Sequence, residues 1–302
     1  MSSTVGNGLK YEIMLVPAIL EQIAQDLSSR LSKKVNILEQ EPLAGGCINQ
    51  VYKIVTDKGI FCVKYNPNPP SDFFVCEEEG LKALGQTQLL KVPKVIVSAK
   101  KQYLVLEYLF PSTPSSAIWY ELGQNLGLLH KNYTSTSFGY ERDNYIGSVP
   151  QINTPVCSDW PTFFITRRIE PLLRLTTGIW ESQHFARFEK LFSKLENYFP
   201  PTLPSLLHGD LWSGNVYFTL SNEAYLLDPA VYYGHPEAEI AFTHLFGGFD
   251  KNFYAGYYNV AAQETGFLQR IALYNLYPLL VHLYLFGGGY FVEVVNILKR
   301  FT

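Results

Sequence analysis

Two aspartates and an asparagine stand at a spacing that suits phosphoryl transfer. Asp210 and Asn215 lie in the segment LHGDLWSGN, and Asp228 follows a short apolar run in LLDP. In kinases, one Asp accepts the proton of the attacking hydroxyl, while an Asn and a second Asp hold Mg²⁺ on the phosphate oxygens. Taken alone, Asp210 and Asn215 are also typical of a turn, because both residue types are common in loops. The prediction of a catalytic base at Asp210 and of Mg²⁺ ligands at Asn215 and Asp228 therefore needs support from the rest of the chain.

Residues nearer the N-terminus supply a second part of the same chemistry. Lys64 ends a predicted strand and Glu77 lies on the next predicted helix, as in the lysine–glutamate pair that anchors ATP phosphates in kinases. We prefer Glu77 to the two glutamates that follow it, because Leu81 and Leu84 place it beside the buried face of the helix. The competing interpretations are a solvated lysine at a strand end and a solvated helix face.

A glycine pair and a strand end complete the predicted nucleotide site. Gly45 and Gly46 stand between two predicted strands, where a hairpin would cover phosphates, although the GxGxxG pattern is absent. Glu107, Tyr108 and Leu109 end the last strand of this region, where backbone groups would meet an adenine. The order from glycine loop through Lys, Glu, hinge and catalytic Asp to metal Asp is the order of kinases. Because joint agreement is far less expected by chance than any single match, ATP and Mg²⁺ are the predicted cofactors.

The elements that must position these residues fall into two parts. Hydrophobic periodicity and turn residues predict a β-rich first part and a helical second part, separated by the linker-like sequence PSTPSS. We therefore predict an α+β, bilobal, protein-kinase-like fold. Its small antiparallel β-rich N-terminal lobe with one inserted helix, residues 1–109, would bind ATP, and its larger, mainly helical lobe, residues 110–302, would hold the catalytic and substrate sites. The predicted helices cover 17–31, 72–84 and 185–199 and include one marked by Leu122, Leu126 and Leu129; the predicted strands cover 35–38, 51–55, 60–64, 92–97, 103–109, 216–218 and 224–227.

Composition excludes several other classes of protein. Hydrophobic residues make up 47% of the 302 residues, whereas charged residues make up 17%, against about 25% in typical domains. These shares exclude a disordered or highly charged tail protein. With 24 basic and 27 acidic residues, the chain has no basic excess to neutralise nucleic acid. The four cysteines lack the spacing of a zinc site. Residues 271–292 carry no charge, but Pro278 and the glycines 287–289 interrupt them, which favours a buried helix over a membrane span. No signal peptide is evident, and we expect a cytoplasmic protein without membrane or nucleic-acid partners.

Several longer motifs resemble those of the fructosamine kinase (ketosamine 3-kinase) family. They are HGDLWSGN, DPAVYYG with EAEIAF, DNYIG, LFGGFD and LFGGGY. HGDxxxxN alone would indicate only the broader aminoglycoside and choline phosphotransferase group, whereas HGDLWSGN together with DPAVYYG indicates fructosamine kinases. The resemblance implies the same roles for Asp210, Asn215, Asp228, Lys64 and Glu77. It also implies an acidic residue after YYG, where this chain has His235.

The family's chemistry defines the implied substrate. Its members phosphorylate the sugar 3-hydroxyl of ketosamines, which form when amines are glycated. The phosphorylated adduct is unstable and leaves, so the amine is restored. The implied role is deglycation, a form of protein repair, and the implied partners are ribulosamine, erythrulosamine or fructosamine adducts of small amines or of protein lysines. The alternatives are a choline- or aminoglycoside-type kinase, against which the motifs around Trp212 argue, and a non-catalytic pseudokinase, against which the intact catalytic set argues.

Four residues are weaker candidates for the acceptor site. Trp212, inside the catalytic loop, is predicted to stack on the sugar ring, with a role in the core as the competing interpretation. Trp160 is a candidate for lining the acceptor pocket, with core packing as the competing interpretation. Asp143 and Asn144 are candidates for contacting sugar hydroxyls, although a turn needs similar residues.

Cys47 directly follows the glycine pair. A positive environment near Lys64 would lower the pKa of its thiol and raise its reactivity. The sequence therefore predicts a redox-sensitive thiol that is able to join two copies of the chain in a reversible disulfide and lower activity.

Overall fold

A computed structural model describes residues 14–44, 48–99 and 102–302. These residues form two compact units. The first contains the described residues up to Phe74 together with Lys94–Leu109, and the second contains Val75–Pro93 and Phe110–Thr302. The segment Val75–Pro93, which the sequence assigned to the first lobe, belongs to the second because Leu84 and Leu90 are buried in the second unit's core. The predicted division of ATP binding and catalysis between lobes stays a prediction.

The first unit is built on a five-stranded antiparallel sheet in the order β1-β2-β3-β5-β4. The sequence DKG between the second and third predicted strands predicts a hairpin turn, and Thr56 pairs with Gly59, so Asp57 and Lys58 form a two-residue turn between β2 and β3. Helix α1 has the predicted bounds and buries Ile23 and Leu27 in the core formed with the sheet. Its elements are α1 (Pro17–Leu31), β1 (Ile37–Leu43), β2 (Gln50–Thr56), β3 (Gly59–Tyr65), β4 (Val95–Ala99) and β5 (Tyr103–Glu107).

The second unit is mainly helical and carries three two-stranded ribbons, β6–β7, β8–β11 and β9–β10. The helix predicted over 185–199 is instead two helices, α6 and α7, separated at Ser193 and Lys194. Its elements, with α2 starting in the first unit, are α2 (Phe73–Gln86), α3 (Ser116–Asn132), β6 (Asn144–Ile146), β7 (Val149–Gln151), α4 (Trp160–Phe163), α5 (Glu170–Leu175), α6 (Ser182–Phe192), α7 (Leu195–Tyr198), β8 (Ser205–Leu207), β9 (Val216–Phe218), β10 (Ala224–Leu226), β11 (Tyr232–Gly234), α8 (Pro236–Thr243), α9 (Lys251–Tyr258), α10 (Phe267–Tyr274), α11 (Leu276–Phe286) and α12 (Tyr290–Phe301). A π-helical turn, Phe164–Ile169, joins α4 to α5, and short 3₁₀ turns cover Thr177–Ile179 and Ser213–Asn215.

Within the uncharged residues 271–292, helix α11 is largely buried, as the sequence predicted. Helix α11 ends where Gly287 takes φ +67°, a left-handed conformation that glycine adopts without strain. In the described part of the chain, no helix combines the length and apolarity that crossing a bilayer requires.

Helices α3 and α9 pack closely because glycines face each other across them. A Cβ on Gly123 would lie 2.0 Å from the carbonyl oxygen of Phe253, and a Cβ on Gly256 would lie 2.0 Å from that of Tyr120. Only glycine permits this approach. The packing brings His130 of α3 to Tyr257 of α9, where imidazole Nδ1 and the phenol oxygen are 2.9 Å apart.

His235 caps the N-terminus of α8. Its Nδ1 accepts a hydrogen bond from the Glu237 backbone N–H at 3.1 Å, and its Nε2 lies 3.2 Å from the carbonyl oxygen of Pro200. Asp is a preferred residue at an N-cap because its oxygen accepts the same bond. This shared capping role accounts for a histidine where the family resemblance implied an acidic residue.

Burial keeps His235 neutral. Loss of hydration lowers the pKa of its imidazole to about 3, the bond to Pro200 opposes that shift, and the nearby Arg270 and His130 add to it. An unfolded histidine titrates near pH 6.5. Below about pH 6.5 the imidazole therefore binds a proton in the unfolded chain but not in the folded protein, so the free energy of unfolding falls as the pH drops.

We expect His235→Asn to make the protein less sensitive to acid. Asn keeps a capping oxygen but does not titrate. Between pH 7 and pH 5 the parent should lose about 2 kcal/mol more of its free energy of unfolding than the variant does. Urea unfolding at both pH values measures this difference, and an equal loss in the two proteins would contradict it.

Candidate active site

The β9–β10 hairpin brings Asn215 and Asp228 to the same end of a ribbon. Val216 pairs with Leu226, and the Leu227 N–H donates to the Asn215 carbonyl oxygen at 2.9 Å. Asp228 is the next residue. The two predicted strands, 216–218 and 224–227, therefore pair as an antiparallel hairpin between the two residues.

Asp210 is held directly by Asn215. The Asn215 Nδ2 donates to the Asp210 carbonyl oxygen at 2.7 Å and to its Oδ2 at 3.0 Å. Both bonds use the amide nitrogen, so the amide oxygen is the atom of Asn215 suited to a cation. The three predicted residues thus belong to one cluster within the second unit.

The loop that carries Asp210 lies against the segment that carries Asp228. The Ala230 N–H donates to the His208 carbonyl oxygen at 2.8 Å. Gly209 has φ +84°, and a Cβ there would lie 2.0 Å from the Ala230 carbonyl oxygen. Asp228 itself has φ +55°, a conformation that costs a non-glycine residue roughly 1–3 kcal/mol and is typical of functional sites.

His208 joins the two segments through its side chain. Its Nδ1 accepts from the Asp210 backbone N–H at 3.3 Å, and its Nε2 lies 2.9 Å from the Leu227 carbonyl oxygen. These partners fit the neutral tautomer with its proton on Nε2. The imidazole, which is fully buried, therefore fixes the loop His208–Asp210 relative to Leu227, the residue before Asp228.

Glu239 supports the same loop from helix α8. Its Oε1 accepts from the Gly209 backbone N–H at 2.9 Å, and its Oε2 lies 2.9 Å from the Nε2 of His130. Glu239 is 3% exposed. Sequence patterns do not single out Glu239, although it lies in the EAEIAF motif, because its hydrogen-bond partners are far away along the chain.

The environment of Asp210 suits a proton acceptor. Burial raises the pKa of its carboxyl to about 7, and the hydrogen bond from Asn215 opposes the shift. A general base works best when its pKa is close to the operating pH. The residue as a whole is only partly buried.

The donor set fits Mg²⁺. Asn215 and Asp228 offer amide and carboxylate oxygens, which are the hard ligands that Mg²⁺ prefers. The described residues contain no cluster of three His, Cys, Asp or Glu side chains able to hold a metal. Two protein ligands suit a cation that takes its other ligands from phosphates and water.

The predicted nucleotide residues are placed within separate units. Lys64 lies on β3 between Val51 of β2 and Leu104 of β5, and it is buried. Glu77 is the buried residue of its triplet, since Glu78 is half-buried and Glu79 is exposed. This burial agrees with the choice made from the helix pattern. The Lys64–Glu77 pair stays a prediction.

The predicted hinge and glycine loop are described to different extents. Glu107 Oε1 accepts from the Lys94 backbone N–H at 2.8 Å, which closes the start of β4 onto β5. Tyr108 has the Lys53 ammonium 5.8 Å from its ring centre. The role of Glu107–Leu109 in adenine binding stays a prediction, and Gly45, Gly46 and Cys47 lie outside the described residues.

Three candidates for the acceptor site make internal contacts within the second unit. Asp143 Oδ1 accepts from Asn153 and Thr154, and Asn144 is buried with its Nδ2 donating to the Val231 carbonyl oxygen at 2.8 Å. Trp160 is 3% exposed and packs in the second unit's core. These internal contacts give all three residues a structural role, and their part in the acceptor site stays a prediction.

Trp212 remains the acceptor-site candidate in the catalytic loop. It is half-buried, and its indole lies over Gly214, where a Cβ would approach the ring to 2.3 Å. Its other ring contact is edge-on to Phe246 at 5.8 Å between centroids. Its stacking on a sugar stays a prediction.

We expect Glu239→Ala to lower both stability and kcat. The variant leaves the Gly209 N–H and the His130 ring without their buried partner, which costs about 1–3 kcal/mol per group. Glu239→Gln keeps the shape and one acceptor, so its losses should be smaller. Urea unfolding and steady-state kinetics on both variants measure this order, and an unchanged kcat in Glu239→Ala would exclude a positioning role.

Comparison with known proteins gives the chain its family. The family model described as fructosamine kinase matches residues 19–302. A protein of Synechocystis sp. named probable ketoamine kinase is 40% identical over 290 residues, covering 94% of this chain and 97% of its own. The chloroplastic protein-ribulosamine 3-kinase of Arabidopsis thaliana is 36% identical over 278 residues, covering 89% and 84%. A crystal structure assigned as a fructosamine-3-kinase of Haemophilus somnus 129PT superposes with a TM-score of 0.84 at 25% identity, covering 94% and 99%. The chain therefore has the protein-kinase-like fold and belongs to the fructosamine kinase family.

Proposed function

We propose that this protein is an ATP-dependent kinase that phosphorylates the sugar 3-hydroxyl of ketosamines. The observation that carries the proposal is the cluster of Asp210, Asn215 and Asp228 in a chain of the fructosamine kinase family. Relatives named ketoamine kinase and protein-ribulosamine 3-kinase support the same substrate class.

Each residue of the cluster has one task in this reaction. The Asp210 carboxylate accepts the proton of the attacking hydroxyl, and its bond to Asn215 holds it in place. Asn215 Oδ1 and the Asp228 carboxylate would hold Mg²⁺, which when bound neutralises charge on the transferring phosphate. Lys64 and Glu77 would anchor the ATP phosphates, and Glu107–Leu109 would meet the adenine.

The proposed substrates are ketosamine adducts of small amines and of protein lysines. Because the phosphorylated adduct leaves the amine, the reaction would reverse glycation. We place the activity in the cytoplasm, because the four cysteines of the sequence lack the spacing of a disulfide framework. The described residues offer no observation that favours a choline- or aminoglycoside-type acceptor.

Asp210→Asn should abolish phosphoryl transfer while keeping the fold. The two side chains have nearly the same shape, but an amide does not accept the proton, so we expect kcat to fall about 10²–10⁴-fold. ADP release with ribulose-, erythrulose- and fructose-lysine, compared with choline and an aminoglycoside, measures turnover and substrate class together. Asp159→Asn, which preserves the cap of α4, is the matched control. Near-normal turnover of Asp210→Asn would remove this residue as the base, and faster turnover of choline or the aminoglycoside would reject the ketosamine assignment.

Asp228→Ala should lose activity through the metal. We expect its Mg²⁺ titration to show no saturable rescue, because one of the two protein ligands is missing. Glu223→Ala is the control. It also removes a carboxylate from the β9–β10 hairpin, but that carboxylate pairs with Lys91. Calorimetric titration with Mg²⁺ and ATP measures the metal dependence, and normal binding and turnover in Asp228→Ala would show that Asp228 is not a ligand.

A further inference from the structure

A cavity of about 490 Å³ lies at the end of the β8–β11 ribbon away from Asp210. Ser205 and His235 line it, and Ser205 pairs with Gly234 at this end of the ribbon. At the other end Leu207 pairs with Tyr232, next to the segments that carry Asp210 and Asp228. The two residue steps from Ser205 to Leu207 span about 7 Å, Asp210 lies three residues further along the chain, and none of Asp210, Asn215 and Asp228 lines the cavity, so the cavity is separate from the catalytic cluster. Its volume falls within the usual range for small-molecule sites.

The lining of the cavity combines aromatic and proline rings with polar groups. The rings of Tyr257, Tyr258 and Phe267 and the faces of Pro200 and Pro236 contribute to it. Hydroxyl and carbonyl groups stand between these faces, among them the Ser205 hydroxyl, which donates to the His130 carbonyl oxygen at 2.7 Å. Such walls suit a ring with polar substituents at its edge.

The one buried charge that lines the cavity among the described residues, Glu237, is compensated within the protein. Glu237 accepts from the Arg270 Nη2 at 2.6 Å and from its Nε at 2.8 Å. The exposed Lys131 and Glu264 have opposite signs, and His235 is neutral because burial lowers its pKa to about 3. Because Lys131 and Glu264 are exposed and solvated, a charged occupant would gain little from them in return for the hydration that it loses. These groups therefore favour an uncharged ligand.

One wall of the cavity connects to the catalytic loop by hydrogen bonds. Tyr257 and His130 both line the cavity, and they are joined at 2.9 Å. His130 holds Glu239, which holds the Gly209 N–H beside Asp210. An occupant that displaces the Tyr257 hydroxyl therefore acts on the hydrogen bonds through His130 and Glu239 that position the loop His208–Asp210.

We propose that this cavity is a second binding site, for a small uncharged ring compound that carries hydroxyl groups, and that its occupant changes turnover at Asp210. A free monosaccharide is the model ligand. The effect on turnover rests on the proposed function of the catalytic cluster, whereas binding in the cavity does not.

Binding is tested first and without turnover. Saturation-transfer NMR with D-ribose and D-glucose is recorded on the parent and on Ala261→Trp and Thr202→Trp, which fill the cavity from different segments. Ile179→Trp is the control, because Ile179 is 41% exposed and does not line the cavity. We expect transfer in the parent and the control and a loss in both folded filling variants. Absent transfer in the parent, or equal transfer in all four proteins, overturns the site.

Turnover of ribulose-lysine with the same sugars tests the connection. We expect kcat to change about fivefold or more in the parent, which corresponds to a typical coupling between sites, and to stay constant in the filling variants. Tyr257→Phe should still bind the sugar but lose the change in kcat, since it lacks the hydroxyl that meets His130. A sugar that raises only KM, and does so in every variant, would be competing at the acceptor site and would overturn the connection. A parent that phosphorylates no ketosamine rejects the proposed function, while the NMR result still decides the cavity.

Discussion

The contact between the His208–Asp210 loop and the Asp228–Ala230 segment is the constraint on which the site depends. Gly209 has no room for a side chain against Ala230, and the His208 side chain hydrogen bonds to Asp210 and to Leu227, the residue before Asp228. The backbone therefore sets the relative position of the two carboxylates before any ligand arrives. A reaction that relies on positioning and on fixed charge benefits from such a rigid arrangement.

A buried polar network fixes the Ala230 side of this contact. Gln151 donates to the Ala230 carbonyl oxygen, and Asn144 donates to that of Val231. Tyr277 donates to Gln151, so the network reaches helix α11. The Arg168 guanidinium, which is fully buried, lies 4.0 Å from the Tyr232 ring centre. Because an unpaired buried amide is costly, these side chains hold one arrangement of the segment. Asn144 of the DNYIG motif thus supports the segment that follows Asp228.

Local patterns predicted the local parts of this protein. Apolar spacing gave α1 its bounds, and the same argument selected Glu77 as the buried glutamate. The β9–β10 hairpin followed from two β-rich runs around a turn. Sequence patterns do not show which distant residues meet: Asn144 bonds to Val231, 87 residues away, and His130 to Glu239, 109 residues away. Residue types that suit a sugar site also suit a buried network, and only the long-range partners distinguish the two.

Helix α8 shows how a sequence motif becomes a set of physical tasks. His235 caps it, Glu237 binds Arg270 and Tyr274, and Glu239 binds the catalytic loop. Each carboxylate is nearly buried, and removing such a group from water costs several kcal/mol. An apolar residue at position 239 would avoid that cost, but it would leave the Gly209 N–H and His130 unpaired. The two glutamates are thus explained by the partners they satisfy, and since one of those partners adjoins Asp210, the stability of α8 and the geometry of the base are set by the same hydrogen bonds.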